Sequence, residues 1–343
     1  TGFFVQRSTA VKSSYMPEMT IALREQVGQT VSQESGVSGC VPQVTVGYYG
    51  EVVTTKTSES PLKILRAKNL EGLPWLVHGF STRVAGQSSV YGGGSLNLGY
   101  TKQDSRSAVE QNRASFLASL GAADREKLWP LVTLRQVHSD VIHHVTETTG
   151  APLAGDGLIT ASARLALAVQ AADCLPIVVV DPKHQAVGVF HAGWRGTVKR
   201  IVEKGVGEMI LRFGSEPRRL QAAIGPGIHG CCYQVGAEVR EKFESQFAYA
   251  AELFRQMKES DPVREKYPLL FLSGRPPGHG ELEPTIFLDL VEANRRQLIA
   301  AGVQAKNIDA SALCTSCRVD LLFSHRAEKG VTGRMMGVVG IRR

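Results

Sequence analysis

No stretch of this 343-residue chain approaches the ~18 consecutive apolar residues of a membrane span, and its first thirty residues lack the basic-then-apolar order of a secretory signal. Membrane insertion and export are therefore not expected. Cysteine is scarce as well. Cys40, Cys174, Cys231, Cys232, Cys314 and Cys317 are too few for a disulfide scaffold at this length, so a reducing, cytoplasmic setting is the expectation. No GxxxxGK[ST] loop is present to cradle a nucleotide phosphate. Charge of one sign is also in short supply: 39 Lys and Arg face 32 Asp and Glu, a formal +7. The basic residues are scattered apart from short clusters such as Arg195/Lys199/Arg200 and Arg218/Arg219, which is too diffuse for nucleic acid and suits a small anion at least as well.

What is present is the 43% apolar, 21% charged balance of a globular protein, and 35 Gly with 15 Pro imply many tight turns. Residues 1–60 are rich in Ser, Thr, Val, Gln and Gly and read as an N-terminal extension, partly disordered, with at most a short strand at Val44–Val53. A single folded domain is expected over 61–343. Within it, Leu131–His138, Leu165–Asp173, Ile177–Asp181, Ala186–His191, Leu220–Ile224, Ile308–Cys314 and Met336–Ile341 read as strands. Helices are expected at Ser107–Leu120, Val198–Phe213 (despite Gly205 and Gly207), Ala237–Phe247 and Phe287–Ala301, the last closed by Gly302. This mixture predicts an α/β (α+β) layered sandwich with a mixed sheet rather than a regular βαβ alternation. The polar stretch 248–283, with its Ser-Gly-Arg-Pro-Pro-Gly-His-Gly run, reads as an insertion or mobile loop.

Three segments end an apolar strand in a metal-type side chain beside Gly, Asp or Pro: Leu-Arg-Gln-Val-His138-Ser, Ala-Asp173-Cys174-Leu-Pro and Phe-His191-Ala-Gly-Trp-Arg195-Gly. His138 shares strand parity with Val132 and Leu134, so its ring is expected on the buried face. Two imidazoles and a thiolate suit zinc, and three protein ligands with an open fourth position are the catalytic arrangement. The spacings of 36 and 17 residues match no zinc finger, however, and with nine His and six Cys available, plain core packing of the same residues is the competing reading. Cys314 and Cys317 have CxxC spacing but no second CxxC, and are read as a buried strand-end thiol pair; Cys231-Cys232 is read as packing under a turn. His143 and His144 should alternate across a strand, and His229 or His325 could line a pocket. The strand-to-helix turn at Gly193-Trp194-Arg195-Gly196 would gather helix N–H groups and a guanidinium around one anion, or serve only as a tight turn.

His78-Gly-Phe-Ser-Thr-Arg83, Ser95-Leu-Asn97-Leu-Gly99, Gln136-Val-His138-Ser, Ala172-Asp-Cys-Leu-Pro176, His191-Ala-Gly-Trp-Arg-Gly196, Ile224-Gly-Pro226, Tyr233-Gln-Val-Gly236 and Thr332-Gly-Arg-Met335 occur in this order. The set resembles the laccase-domain family, first labelled multicopper polyphenol oxidases and now described as zinc-dependent purine nucleoside phosphorylases. The resemblance implies a fold similar to the catalytic domain of cytotoxic necrotizing factor and a zinc held by His138, Cys174 and His191. It further implies cleavage of adenosine, inosine, guanosine and S-methyl-5′-thioadenosine with phosphate, and deamination of adenosine. Purine nucleosides and phosphate are thus the expected partners. Zinc with an open position lowers the pKa of water held there, which suits attack on C6 of adenine; phosphorolysis needs phosphate held near C1′ and a stabilised departing purine.

From their places in these motifs, Arg83 and Arg195 are expected to bind phosphate or polarise the base, Asn97 to hold the ribose, and Asp173 to support Cys174 from behind. The zinc-deaminase signature H-x-E…P-C-x-x-C is absent, so deamination would need another acid–base arrangement. Three alternatives remain in view. Cu2+ also accepts two His and a Cys, but multicopper centres need paired imidazoles and this chain has no His-x-His. An amidase editing peptidoglycan precursors would use Cys174 as nucleophile and His138 as base. A zinc-stabilised binding domain would catalyse nothing.

Overall fold

The computed structural model describes residues 62–125, 127–148, 150–257, 266 and 284–342. The expected N-terminal extension, its Val44–Val53 strand and most of the 248–283 stretch lie outside the described residues. The first part of that stretch is described, and it is regular structure: a 3₁₀ turn at Ala250–Leu253 leads into the strand Phe254–Met257, which pairs antiparallel with Thr285–Leu288.

Two sheets lie face to face. One has five strands in the order Ile64–Leu65, Leu76–Ser81, Met335–Ile341, Ala166–Ala171, Leu131–Val132, antiparallel except for the last pair. The other has six in the order Ile308–Ala310, Gln221–Ile224, Leu175–Asp181, Ala186–Ala192, Gly157–Thr160, Ile142–His144, with parallel pairs only at its two edges. The period-2 alternation of strand side chains sorts the residues. Val178, Val180, Val187 and Val189 point toward the first sheet and pack with Phe80, Leu167, Val169 and Val339. Ile177, Val179, Ala186 and Phe190 point the other way, onto the helices Ile201–Phe213, Ala237–Glu244 and Leu290–Ala300. The helix Arg106–Leu120 covers the far face of the first sheet through Phe116, Leu117 and Leu120. The result is a mixed α/β fold of four layers, with both sheets buried on two sides.

Local chemistry accounts for the element ends. Ser105 caps Arg106–Leu120 by accepting the Ala108 N–H, and Gly121 ends it at φ 75°, a conformation that suits glycine. Asp289 caps Leu290–Ala300 through the Glu292 N–H, so the expected Phe287–Ala301 helix gives its first residues to the strand Thr285–Leu288. The expected Val198–Phe213 helix is two: Trp194–Val198 and Ile201–Phe213, broken at Arg200, whose φ is 64°. Gly205 has a packing reason within the second helix. A Cβ there would fall 2.4 Å from the Phe190 ring, so its absence lets helix and sheet approach closely.

The expected strand Leu131–His138 is also divided. Leu131–Val132 belongs to the five-stranded sheet, while Leu134–Arg135 pairs with Leu153–Ala154 in a separate ribbon. His138 lies beyond both, at φ 57°, in a loop, and its residue is exposed rather than directed into the buried face. The physical reason is a competing acceptor: the N–H groups of Val137, His138 and Ser139 all point at the Asp156 carboxylate instead of a neighbouring strand. Among the described residues no helix is long and apolar enough to cross a membrane.

Candidate metal centre

The chain passes from one sheet to the other between Ala171, the last residue of a strand in the five-stranded sheet, and Leu175, the first of a strand in the six-stranded one. Asp173 makes the turn at φ 90° and Cys174 follows it. The strand Ala186–Ala192 runs antiparallel to Leu175–Asp181, with Pro176 opposite His191, so His191 arrives at the same sheet end as Cys174. It shares parity with Val187 and Val189 and therefore points between the sheets. The His138 loop is brought alongside by Gln136, whose side chain donates to Gln170 O at 2.8 Å and accepts from Gln170 N at 2.7 Å, like a single rung of a strand ladder.

These three approaches bring one ligand atom each of His138, Cys174 and His191 within 4.8 Å of one another. His138 Nε2 lies 3.9 Å from Cys174 Sγ, and the two imidazole rings meet edge-on with centroids 4.9 Å apart. Gly193 leaves the space for this: a Cβ there would sit 2.9 Å from Cys174 Sγ and 3.1 Å from His138 Cδ2. The donor set, two imidazoles and a thiol around a small gap, fits a thiophilic divalent ion.

Sequence reasoning missed Asp156. It is fully buried, and its Oδ1 meets His191 Nδ1 at 2.8 Å and accepts the His138 N–H at 3.1 Å. Its Oδ2 accepts from Ser139 N and Ser139 Oγ at 2.6 and 2.7 Å. A carboxylate holding Nδ1 leaves Nε2 of His191 for an ion, the usual support of a metal-bound imidazole. Burial would raise the Asp156 carboxyl, but the hydrogen bonds from His191 and Ser139 outweigh it and hold the group well below the ordinary carboxylate range. Burial likewise opposes ionisation of Cys174, yet the charge of His191 and the hydrogen bond to His138 bring its thiol down to about 6. Burial would lower His191, and the Cys174 charge with the Asp156 hydrogen bond lifts it to about 9. Thiol and imidazole thus favour each other's charged forms, with a carboxylate orienting the ring. The signal available in the sequence was Gly155-Asp156-Gly157, an acid between two glycines at the start of a strand.

The other expected site residues fare differently. Asn97 is fully buried with both amide hydrogens on Gly99 O and Asp104 Oδ2 and its oxygen accepting from Gly99 N and Arg334 N, so it has nothing left for a ribose. Arg83 is tied to Glu328 at 3.0 Å, to Val319 O and to Tyr91 O, with its guanidinium 4.6 Å from the Phe323 ring centre; it locks a loop rather than facing a phosphate. The Asp173 carboxylate accepts from Thr315 Oγ1, Ser324 Oγ and Arg326 N and has no hydrogen bond to a triad residue, whereas Asp156 has two. Arg195 is exposed and stacks 4.3 Å over Trp194, and its helix is only five residues long, too short for a helix-start anion site of its own. Tyr233 is a second residue without an expected role. Burial and the negative charge of Cys174 push its phenol up, and Arg195 and Arg326 pull it the other way, which sets all of them around one spot.

His143 is half-buried and His144 exposed, as alternation required; His325 is exposed, and His229 lies beside Cys314. The other four cysteines among the described residues do not behave as expected. Cys231, Cys232, Cys314 and Cys317 converge, with their sulfurs all within 4.8 Å, so the missing partner of Cys314-Thr-Ser-Cys317 is the adjacent pair.

A sequence model of the family described as multi-copper polyphenol oxidoreductase laccase matches residues 77–342. The chain belongs to that family. Among its relatives, a protein named purine nucleoside phosphorylase from Deinococcus radiodurans is 36% identical over 285 residues, 82% of this chain and 94% of that protein. One named adenosine deaminase RL5, from an unknown prokaryotic organism, is 35% identical over 76% of this chain and 90% of its own. The crystal structure of YlmD from Geobacillus stearothermophilus superimposes with a TM-score of 0.66 at 32% identity, covering 86% of this chain and all of that one. The laccase-family match takes in most of both sheets and all three triad residues.

Proposed function

We propose that this chain is a zinc-dependent purine nucleoside phosphorylase, formed by a single catalytic domain over 61–343, that cleaves adenosine, inosine, guanosine and S-methyl-5′-thioadenosine with phosphate and also deaminates adenosine. The observation that carries the reading is the convergence of His138, Cys174 and His191 on one gap with Asp156 behind two of them. The names of the relatives support the reaction class, and the two-sheet layering is in keeping with a cytotoxic-necrotizing-factor-like fold.

His138, Cys174 and His191 would hold the ion; when bound, zinc supplies Lewis acidity at the open position. Asp156 keeps the hydrogen on His191 Nδ1 and fixes the ring. Arg195 offers an unburied guanidinium to phosphate. Tyr233, its phenol kept protonated by burial and by the Cys174 charge, would donate a hydrogen bond to a departing purine. As phosphate oxygen bonds to C1′, the C1′–N9 electron pair passes to the base, and a donor there lowers the cost of that charge.

The test is product analysis of the purified protein with a nucleoside panel, with and without phosphate, alongside metal content. Phosphate-dependent release of free base and sugar phosphate is expected, lost together with zinc in Cys174→Ala and His191→Ala. Unchanged turnover in both variants would sink the assignment. One observation favours a second reading: the Cys174 thiol, the His191 ring beside it to take up its proton and the Asp156 carboxylate that orients that ring also supply the nucleophile, acid–base and orienting groups an amidase requires. Chelation separates the two, since it stops phosphorolysis and frees the thiolate for amide cleavage.

A further inference from the structure

We propose that Cys231, Cys232, Cys314 and Cys317 form a second metal site, a four-thiolate zinc centre that fastens the loop after Gln221–Ile224 to the loop after Ile308–Ala310. Cys231 Sγ lies 3.6 Å from Cys232 Sγ and 3.5 Å from Cys317 Sγ, and Cys232 Sγ lies 3.3 Å from Cys317 Sγ. Four sulfurs bound to one zinc at about 2.3 Å stand about 3.8 Å apart at the corners of a tetrahedron. A disulfide would bring two of them to about 2.05 Å. The spacing is that of ligands around an ion, with the whole set within 4.8 Å.

Two separate pieces of backbone deliver the pairs. Gly227 and Cys314 form a parallel bridge, and Thr315 N donates to Gly227 O at 3.0 Å, which holds Cys314 and Cys317 beside the 227–232 loop. Cys232 N and Tyr233 N both donate to His229 O, a tight turn that puts the adjacent cysteines on the same side. An all-sulfur set selects a soft ion over calcium or magnesium, and four protein ligands leave no open position, which is the structural rather than the catalytic arrangement.

The clamp also reaches the first site. Thr315, between the two later cysteines, donates to the Asp173 carboxylate at 2.7 Å, and Tyr233 follows Cys232 directly, 5.6 Å under the Arg326 guanidinium. Zinc at the four cysteines therefore fixes the wall that carries Tyr233, without contributing a ligand to the His138–Cys174–His191 triad.

Metal analysis of the full chain purified without chelators tests this. Two zinc ions per chain are expected, falling to one in Cys317→Ser and to one in Cys174→Ser, with circular dichroism confirming that each variant is folded. X-ray absorption at the zinc edge of the wild type needs no variant: two sites predict about 2.5 sulfurs per ion, the triad alone predicts one. A wild-type chain with a single zinc that Cys174→Ser removes and Cys317→Ser leaves, or an absorption spectrum with one sulfur per ion, overturns the proposal. So does a mass lower by two hydrogens that maps a disulfide among these four cysteines in the native protein.

Discussion

The Asp156 carboxylate and the His191 imidazole meet at 2.8 Å, and the same carboxylate oxygen also takes the main-chain N–H of His138. One buried acid thus aims one ligand through its ring and another through its backbone. An amide could keep its oxygen on this pair, but its NH2 would then face the Val137 and Ser139 donors that Oδ2 now accepts, and the loop carrying His138 would lose its anchor. In Asp156→Asn the metal affinity at the triad should fall about 10–100-fold, as for other groups that support a metal-bound histidine. Competition with a chelator measures it, and an affinity equal to wild type would remove Asp156 from the site.

Helix Ile201–Phe213 offers a paired test of packing. The Cβ of Gly205→Ala would strike the Phe190 ring, an overpacking that should cost about 1–3 kcal/mol. At Gly207 no atom lies within 4 Å of the place a Cβ would take, so Gly207→Ala should stabilise by about 0.5–1 kcal/mol through helix propensity. Urea unfolding of the two variants should move in opposite directions.

His78 is buried, and burial together with the nearby Arg66 charge lowers its imidazole to about 4. The unfolded chain takes up that proton near pH 6.5 and the folded one does not, so stability is lost as pH falls from about 6.5 toward 4. The loss should run at up to about 1.4 kcal/mol per pH unit. His78→Gln keeps an acceptor for the Ala67 N–H, which His78 Nε2 receives at 3.2 Å, and should flatten this part of the stability profile. Parallel profiles for the two proteins would show that His78 is protonated in the fold.

Arg195 and Arg83 should separate cleanly. Arg195→Ala is expected to raise the KM for phosphate about tenfold or more while changing the nucleoside KM little, since a single charge-assisted contact is worth about 1.5–3 kcal/mol. Arg83→Ala should lower Tm and leave the ratio of the two KM values alone, because its partners are Glu328, Val319 and Tyr91. Equal shifts in both KM values for Arg195→Ala would argue against a phosphate contact.

Much of the layering is legible in the alternation of Val178, Val180, Val187 and Val189, and the strand ends carrying Cys174 and His191 are visible as metal-type residues beside turn residues. What periodicity cannot show is where the ladder stops. Leu131 to His138 alternates well enough for one strand, yet the Asp156 carboxylate, contributed from 18 residues beyond His138, takes the N–H groups a ladder would have used. Asp156 and the four-cysteine cluster escape for the same reason. Each depends on segments joined by tertiary pairing, Gly157 with Phe190 in one case and Gly227 with Cys314 in the other. Asn97 and Arg83 mislead because a motif position says nothing of how many hydrogen-bond partners a side chain already has.

The strand Met335–Ile341 lies between Leu76–Ser81 and Ala166–Ala171, at the middle of its sheet. While the ribosome is still adding residues, the triad ligands are all made by residue 191, long before the residues that fill that central slot. A nascent chain stopped before Met335 would carry a complete ligand set on a half-built scaffold, with two strand edges open to any other chain. Contacts this distant along the sequence make folding slow, and the vulnerable interval ends only when Ile341 leaves the exit tunnel.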